Sequence, residues 1–265
     1  MQHIFPTSGS LLGAIEVRHG PVGVLGRLFL QAEAAARACG ITLSFADPGE
    51  LAAVNRANQD TWRPILPLFD CDASGFGPDR GFALLGRDSS GAVVATQGAR
   101  VYDWTASSFL AEATSLRMFY GDRPAPAEEA CAVDAPSASA ISGRVVFSGA
   151  GWYRPDFRTR GLACILPRVS RALAYTRCLT DYTISIMADA VAAGGMAERC
   201  GYTRVEKRVE LINSPVGKNV SCVLVWMDTN ELLDDIDRFL SNRAAVRPQV
   251  DSVVDDRPAQ HARVA

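Results

Sequence analysis

The chain has 265 residues, of which 48% are hydrophobic, so it is long enough for one large domain or two small ones with a sizeable core. Its formal net charge of −2 excludes a global positive field that would favour DNA or an anionic membrane. The seven cysteines include no C-x-x-C pair, and their scatter and odd number indicate a reducing cytoplasm rather than a disulfide scaffold.

The three histidines lie near the ends of the chain, at His3, His19 and His261. A histidine base in the central region is therefore not expected, which weighs against Ser-His-Asp and Cys-His hydrolases and most His-ligated metal enzymes. We expect no metal. The first residues lack a basic segment, and no apolar run approaches the ~18 residues of a membrane span. We expect neither a signal peptide nor a membrane span.

Hydrophobic periodicity and turn residues predict interleaved helices and strands. In chain order these are a helix over 23–39, a strand over 41–45, a helix from Pro48 capped by Asp47, strands over 81–88 and 92–104, a helix over 108–121, a strand over 143–153, a helix over 162–177, a strand over 182–189, a helix over 190–201, strands over 203–212 and 221–228, and a helix over 230–240. Two prolines leave 62–69 as at most a broken helix. Residues 122–141 predict a long surface loop.

Hairpins at both ends of this order predict the α/β class with one mixed sheet rather than a fully parallel one. We divide the chain into an N-terminal extension with a helix (1–40), a core domain (41–243) and a tail (244–265). The tail is polar and lacks a core pattern, so we expect it to be disordered.

The segment from Tyr153 to Ala163 follows a predicted strand and opens a predicted helix. Backbone amides at such a junction lack intrahelical partners, and the helix dipole adds positive potential, so the junction suits a diphosphate. Gly161 lets a ligand approach the backbone without a Cβ in the way. Three arginines add charge around the loop: Arg154, Arg158 and Arg160.

This segment resembles the signature of the GNAT acyl-CoA N-acyltransferase superfamily. Arg158, Gly161 and Ala163 match R-x-x-G-x-A, and the preceding Arg154–Phe157 is similar to the x-P-x-[YF] lead-in of the family. Residues Ala197–Tyr202 resemble the Y-E-K-L-G-F ending of a later family helix. The resemblance covers about Ile41 to Asp228 and implies a GNAT-like fold, with about six to seven strands and flanking helices.

The resemblance implies that acetyl-CoA or another acyl-CoA binds between two splayed central strands, here 143–153 and 182–189. A bulge within 149–153 would direct a backbone amide at the thioester carbonyl. An amine would then attack directly, without a covalent enzyme intermediate. The residues implied in coenzyme A binding are Trp152, Tyr153, Arg154, Arg158, Thr159, Arg160, Gly161, Leu162 and Ala163.

The sequence departs from the family where the leaving thiolate is protonated. The usual tyrosine aligns with Ala197, and an asparagine often found seven residues earlier aligns with Ala190. The thiolate leaves tolerably without help, because thiol pKa values lie near ~8.5. Replacement acids are Asp189, Tyr202 and Tyr120. Each also has a structural interpretation: Asp189 as a helix cap, Tyr202 as a core aromatic and Tyr120 as a residue of a helix surface. Tyr120 and Glu112 could alternatively line an acceptor pocket. Cys200 is interpreted as a small core residue.

The leading hypothesis is an N-acyltransferase that moves an acetyl or other acyl group from acyl-CoA to a small-molecule amine. The alternative is a catalytically weak acyl-CoA-binding or sensing protein, and a third hypothesis replaces the donor with a long-chain acyl carrier or aminoacyl-tRNA. Near-neutral charge weighs against a nucleic-acid partner. We expect no membrane partner and a cytoplasmic location, and a homodimer is compatible with these expectations. The acceptor pocket would come from loops 60–80 and 121–141.

Overall fold

The structure is a computed structural model that describes residues 3–245. Within that range, eight strands form one sheet. The strands are β1 (Thr42–Ala46), β2 (Gly81–Arg87), β3 (Val93–Trp104), β4 (Ala130–Val133), β5 (Gly143–Tyr153), β6 (Tyr182–Ala188), β7 (Arg204–Ser214) and β8 (Gly217–Asp228). Their order across the sheet is β1-β2-β3-β5-β6-β8-β7-β4. The β5–β6 pair is parallel and the other six neighbouring pairs are antiparallel, so the predicted mixed α/β sheet is confirmed.

Ten α-helices accompany the sheet in the described range. They are α1 (Leu11–Ala14), α2 (Val22–Ala38), α3 (Pro48–Ala57), α4 (Cys71–Ser74), α5 (Phe109–Thr114), α6 (Arg117–Tyr120), α7 (Leu162–Cys178), α8 (Asp189–Ala193), α9 (Met196–Arg199) and α10 (Thr229–Ala245). The predicted cap of α3 is confirmed, because the Asp47 side chain accepts a hydrogen bond from the Gly49 amide at 2.8 Å.

The two faces of the sheet carry separate hydrophobic cores. The first core joins α2, α7 and α10, with residues such as Leu28, Leu173 and Ile236 buried against one face. The second core covers the other face with short helices and loops, through residues such as Phe69 and Phe109. Because β2, β3 and β5 are covered on both sides, these strands are largely apolar on both faces, whereas much of β7 is exposed.

Three sequence predictions need correction. The sheet has eight strands rather than six to seven, because β4 lies within the predicted loop 122–141 and pairs with β7. The predicted helix over 108–121 is two helices separated by Leu116, whose φ is +62°. The predicted helix over 190–201 is likewise two, separated by Gly195 in the left-handed region.

The domain limits 1–40 and 41–243 stay predictions, although α2 lies within the first core together with the core domain's own helices. The predicted disordered tail 244–265 lies outside the described residues, apart from the two residues that end α10. No helix of the described range combines the length and apolar character needed to cross a membrane.

A buried ion network fixes α7 against α10. Arg168 donates two hydrogen bonds to Asp235, at 2.8 and 2.9 Å, and Arg171 lies 3.5 Å from the same carboxylate. All three side chains are at most 9% exposed. Breaking such a pair leaves an uncompensated buried charge, so the network holds α7 in one position.

Gly201 lies against this network with a φ of +83°, and replacing it with alanine is expected to destabilise the fold by more than about 2 kcal/mol. The added Cβ would lie 2.3 Å from both Arg168 Nη2 and Asp235 Oδ2. Urea unfolding of the wild type and of Gly201→Ala measures the difference in the free energy of unfolding.

The matched control is Gly40→Ala, because Gly40 has a φ of +74° and no atom within 4 Å of an added Cβ. Its expected cost is the backbone strain alone, about 1–2 kcal/mol. Equal losses of unfolding free energy in Gly201→Ala and Gly40→Ala would contradict a steric clash between the added Cβ and the ion network.

Candidate active site

The centre of the site is a β-bulge in β5. Thr96 of β3 lies opposite Trp152, whereas Gly98 lies opposite Gly149, so β5 has one residue more than its partner. The extra residue lies at Ala150, whose φ is +50°. A bulge leaves main-chain groups without ladder partners and bends its strand. The bulge predicted within 149–153 is therefore present.

Beside the bulge, β5 and β6 diverge. They pair only between Val145–Phe147 and Tyr182–Ile184, although β5 continues to Tyr153 and β6 to Ala188. Beyond that pairing lies a cleft of about 640 Å³. The splay of these two strands that the family resemblance implies is thus observed.

The start of α7 lies at one end of the cleft. Gly161 precedes the helix in the left-handed conformation, with φ +78°, and no side chain caps the helix. No described backbone carbonyl accepts from the amides of Thr159, Arg160 or Gly161. The first helical amides also lack intrahelical partners. An added Cβ at Gly161 would meet nothing within 4 Å, so the space in front of these amides is open. This geometry suits an anion with several acceptor oxygens.

The three arginines of the loop differ in their partners. Arg154 is bound to Asp156 at 2.7 Å and to Asp88 at 3.2 Å, and it does not line the cleft. Arg160 lies over the Phe157 ring and donates to the Cys39 carbonyl.

Arg158 is the one of the three that lines the cleft. It donates to the carbonyls of Tyr153 and Thr61 at 3.1 and 3.3 Å, and it is exposed. It has no ion pair with a described carboxylate, so its charge is available to a ligand in the cleft.

The other predicted coenzyme A residues divide between the cleft wall and the core. Trp152, Tyr153 and Ala163 line the cleft, whereas Leu162 is buried in the first core. The Thr159 hydroxyl donates to the Arg158 carbonyl at 2.6 Å. The Trp152 indole stacks on Trp62 with centroids 5.5 Å apart, and burial raises the pKa of the Tyr153 phenol well above its usual value.

The cleft opens toward both faces of the sheet. Its residues on the α7 face belong to or pack against the first core, and include Met187, Met196 and Tyr202. Its residues on the opposite face pack against the second core, and include Trp62, Leu66 and Val216. Two reactants can therefore approach the bulge from opposite sides.

A chain of polar side chains underlies the cleft. Gln97 donates to the Ser148 hydroxyl at 3.1 Å, Ser148 lies 2.7 Å from the Ser170 hydroxyl, and Ser170 donates to the Pro167 carbonyl. Gln97 also donates to the Gly149 carbonyl at 3.0 Å, beside the bulge. These groups fix the polar side of the bulge in one arrangement.

Tyr202 lies at this chain with its hydroxyl unsatisfied. The residue is 7% exposed and lines the cleft, and its hydroxyl has no hydrogen-bond partner within residues 3–245. Desolvation raises its pKa to about 12, which nearby Arg171 and Ser148 partly oppose. The core interpretation of the Tyr202 ring is confirmed by its burial, whereas a buried tyrosine hydroxyl ordinarily has a partner and this one has none.

The remaining candidates do not line the cleft or have structural roles. Asp189 is the exposed first residue of α8, one position after the cap that we expected it to be. The Tyr120 hydroxyl is hydrogen-bonded to Glu129 at 2.6 Å, which together with burial raises its pKa, and it is remote from the cleft lining. The Glu112 carboxylate accepts hydrogen bonds from Ser107 and Arg117, so it is not free to bind an acceptor substrate. Cys200 is buried in the core as expected, and burial raises its pKa.

Sequence reasoning missed several cleft residues. Loop 60–80 contributes Thr61–Leu66 as expected, but no described residue of 121–141 lines the cleft, because that segment pairs and packs at β7 instead. Gln97 and Ser148 carried no signal, because single polar residues in apolar strands do not reveal which strand lies opposite. The three-residue metal-like cluster Asp70–Asp72 lies outside the cleft, and Asp70 caps α4.

No family model matches the chain, and no curated protein matches it. Among solved structures, it is similar to a variant of the spermidine N-acetyltransferase SpeG from Vibrio cholerae, at 11% identity over 73% of this chain and 96% of that one, with a TM-score of 0.41. It is also similar to yncA, a putative acetyltransferase from Salmonella typhimurium with acetyl-CoA, at 13% identity over 71% and 94% of the chains and a TM-score of 0.37. NAA60 from Arabidopsis thaliana with acetyl-CoA matches at 14% identity over 72% and 99%, with a TM-score of 0.42.

We infer the function from the geometry of the cleft.

The unsatisfied hydroxyl of Tyr202 yields a stability prediction. Tyr202→Phe is expected to leave the free energy of unfolding unchanged or to raise it, because the substitution removes a buried polar group that has no partner. Tyr120→Phe is the control, since its hydroxyl is bound to Glu129, and it is expected to cost about 1.5 kcal/mol or more. Urea unfolding of both variants measures the difference. A clear loss of stability in Tyr202→Phe would mean that its hydroxyl has a structural partner.

Proposed function

We propose that the protein is an N-acyltransferase that transfers an acetyl or other acyl group from acyl-CoA to an amine. The observation that carries the proposal is the cleft between β5 and β6, with a bulge on one wall and the uncapped start of α7 at its end. Diphosphate oxygens would accept hydrogen bonds from the amides around Gly161, with Arg158 supplying charge. The pantetheine arm would follow β5 into the cleft.

The bulge supplies a place for the thioester. A backbone amide at Ala150–Gly151 would donate to the carbonyl oxygen and stabilise the negative charge that develops there. The amine lone pair attacks the carbonyl carbon, the oxyanion forms and collapses, and the carbon–sulfur bond breaks. The products are an amide and the CoA thiolate, and the ammonium proton leaves to water.

Tyr202 is the group we propose as proton donor to the thiolate. Its hydroxyl lines the cleft without a partner, and a pKa of about 12 keeps it protonated at neutral pH. It would give its proton to the sulfur and recover one from solvent. Tyr202 would thereby replace the tyrosine that the family has at Ala197. Asp189 and Tyr120 lack a position in the cleft lining.

A protein that binds acyl-CoA without turnover is the second candidate. Ala197 and Ala190 stand where the family has polar residues, and this absence favours a binding or sensing role. The apolar lining of the cleft would also accept a long-chain acyl group from a carrier. We expect a cytoplasmic location and no nucleic-acid partner under each alternative.

Calorimetric titration with CoA and acetyl-CoA tests the donor site. We expect binding below about millimolar, and Gly161→Trp is expected to weaken it about tenfold or more, because the indole would occupy the space before the amides. Gly75→Trp is the control, since Gly75 has a similar φ of +66°, equally open space and no place in the cleft lining. Absence of binding would contradict the enzyme and the sensor alike. Thiol release that persists in Gly161→Trp would contradict the proposed donor site.

Tyr202→Phe tests the proton donor in a thiol-release assay over a broad panel of amines. We expect kcat to fall about 10²-fold, near the lower end for general acids, because a thiolate is a tolerable leaving group. Tyr120→Phe is expected to keep its kcat. An unchanged kcat in Tyr202→Phe would exclude the hydroxyl as donor. Binding of acetyl-CoA with no turnover across the panel would favour the sensor.

The pH profile tests the handling of the ammonium proton. No carboxylate or histidine occurs among the described residues of the cleft lining, so the acceptor would enter as the free base. The rising limb of kcat/KM should therefore follow the pKa of the acceptor amine. Two acceptors of similar shape and different amine pKa are expected to shift that limb by the difference. A limb that stays fixed would reveal a protein base.

A further inference from the structure

Each side of the cleft has one arginine in its lining, Arg158 on the donor side and Arg63 on the acceptor side. On the face opposite α7, the segment Thr61–Leu66, the end of β6 and Val216 in the β7–β8 turn line the cleft with apolar side chains. Arg63 is the charged residue of that side, and it is exposed. Its guanidinium has no hydrogen bond or ion pair with any described side chain, whereas Arg154 and Arg158 on the donor side are engaged.

The Arg63 guanidinium acts electrostatically on β8. Its charge reaches Cys222 of β8, where it lowers the thiol pKa against the larger effect of burial and against Asp189 and Glu210, which raise it. Glu210 is hydrogen-bonded to Ser221, and neither carboxylate lines the cleft. The acceptor side therefore has a free cation and no lining carboxylate, which disfavours a polycationic acceptor and favours an anionic group.

The aromatic wall next to Arg63 is rigid. Trp62 stacks on Trp152 with an interplanar angle of 13°, and the Trp152 indole donates to the Thr61 hydroxyl at 3.3 Å. A flat apolar surface fixed beside one guanidinium fits a ligand with an apolar or aromatic body and an acidic group.

We propose that the acceptor is an amine that carries an acidic group and an apolar body, with Arg63 binding the acid and the Trp62 wall the body. This inference rests on the proposed function and names its acceptor class. An amino acid with a large apolar side chain has this chemistry: its carboxylate would bind Arg63 and its amine would reach the thioester from the face opposite the donor.

The test uses the full chain, acetyl-CoA and three acceptors: phenylalanine, its primary amide and spermidine. We expect kcat/KM for phenylalanine to exceed that for the amide about tenfold or more, since a charge-assisted hydrogen bond is lost in the amide. Spermidine is expected to be the poorest acceptor. Arg63→Ala should raise KM for phenylalanine and leave the amide unchanged, and Arg63→Glu should reverse the preference.

Arg80→Ala is the matched control, because Arg80 is exposed and lines a groove elsewhere on the molecule instead of the cleft. It is expected to keep the preference for phenylalanine. Asp189→Asn is expected to keep it as well. A preference for spermidine, above all one that Asp189→Asn removes, would overturn the inference, as would an unchanged KM for phenylalanine in Arg63→Ala.

Failure of the inference and failure of the proposed function give different results. If acetyl-CoA binds and the amide or spermidine releases thiol as fast as phenylalanine does, the acceptor class is wrong and the acyltransferase stands. If no acceptor releases thiol, the proposed function fails. Binding of N-acetylphenylalanine to the CoA-loaded protein then still tests Arg63: equal affinity in wild type and Arg63→Ala would overturn its role.

Discussion

The structure depends on one extra residue in β5. That strand pairs with β3 along nearly its whole length, yet it leaves β6 after Phe147. The bulge at Ala150 reconciles the two requirements, because it bends β5 while β3 follows it. Buried main-chain groups must find partners, and side chains supply them: the Thr96 hydroxyl donates to the Ala150 carbonyl at 2.8 Å, and Gln97 donates to that of Gly149. The cleft is therefore a property of the sheet itself.

The same opening requires α7 to be held firmly, since its first turn forms the end of the cleft. Pro167 has no amide to donate to the Ala163 carbonyl, one turn earlier, and the Cys200 thiol lies 3.6 Å from that oxygen. Further along, Arg168 and Asp235 join α7 to α10, with Gly201 packed against them. Cys200 and Gly201, both in the Ala197–Tyr202 segment, thus contact α7 or its ion network. The start of that helix would bind the diphosphate.

Local signals predicted the elements that frame the cleft, and nonlocal contacts decided the rest. The bounds of β5, β6 and α7 follow from apolar periodicity and from Gly161, and each lies within a residue of its prediction. By contrast, β4 exists because the edge of β7 pairs with a stretch of weak strand propensity. Arg154 begins the segment that is similar to the family lead-in, yet it is ion-paired with Asp156 and with Asp88, which is distant in sequence. Pairings of this kind have no signature in one sequence, which is why the loop was predictable and the use of its arginines was not.

The polar chain beneath the cleft explains why the Tyr202 hydroxyl remains free. Ser170 donates to the Pro167 carbonyl, so the proton between the two serines belongs to Ser148, and Gln97 donates in turn to Ser148. Each donor of the chain thus has an acceptor other than the Tyr202 hydroxyl. An unsatisfied buried hydroxyl costs about 1–3 kcal/mol, and a local conflict of this size is expected at functional sites. The sulfur of an acyl-CoA that entered along β5 would be a hydrogen-bond partner for the Tyr202 hydroxyl, which has none among the described residues.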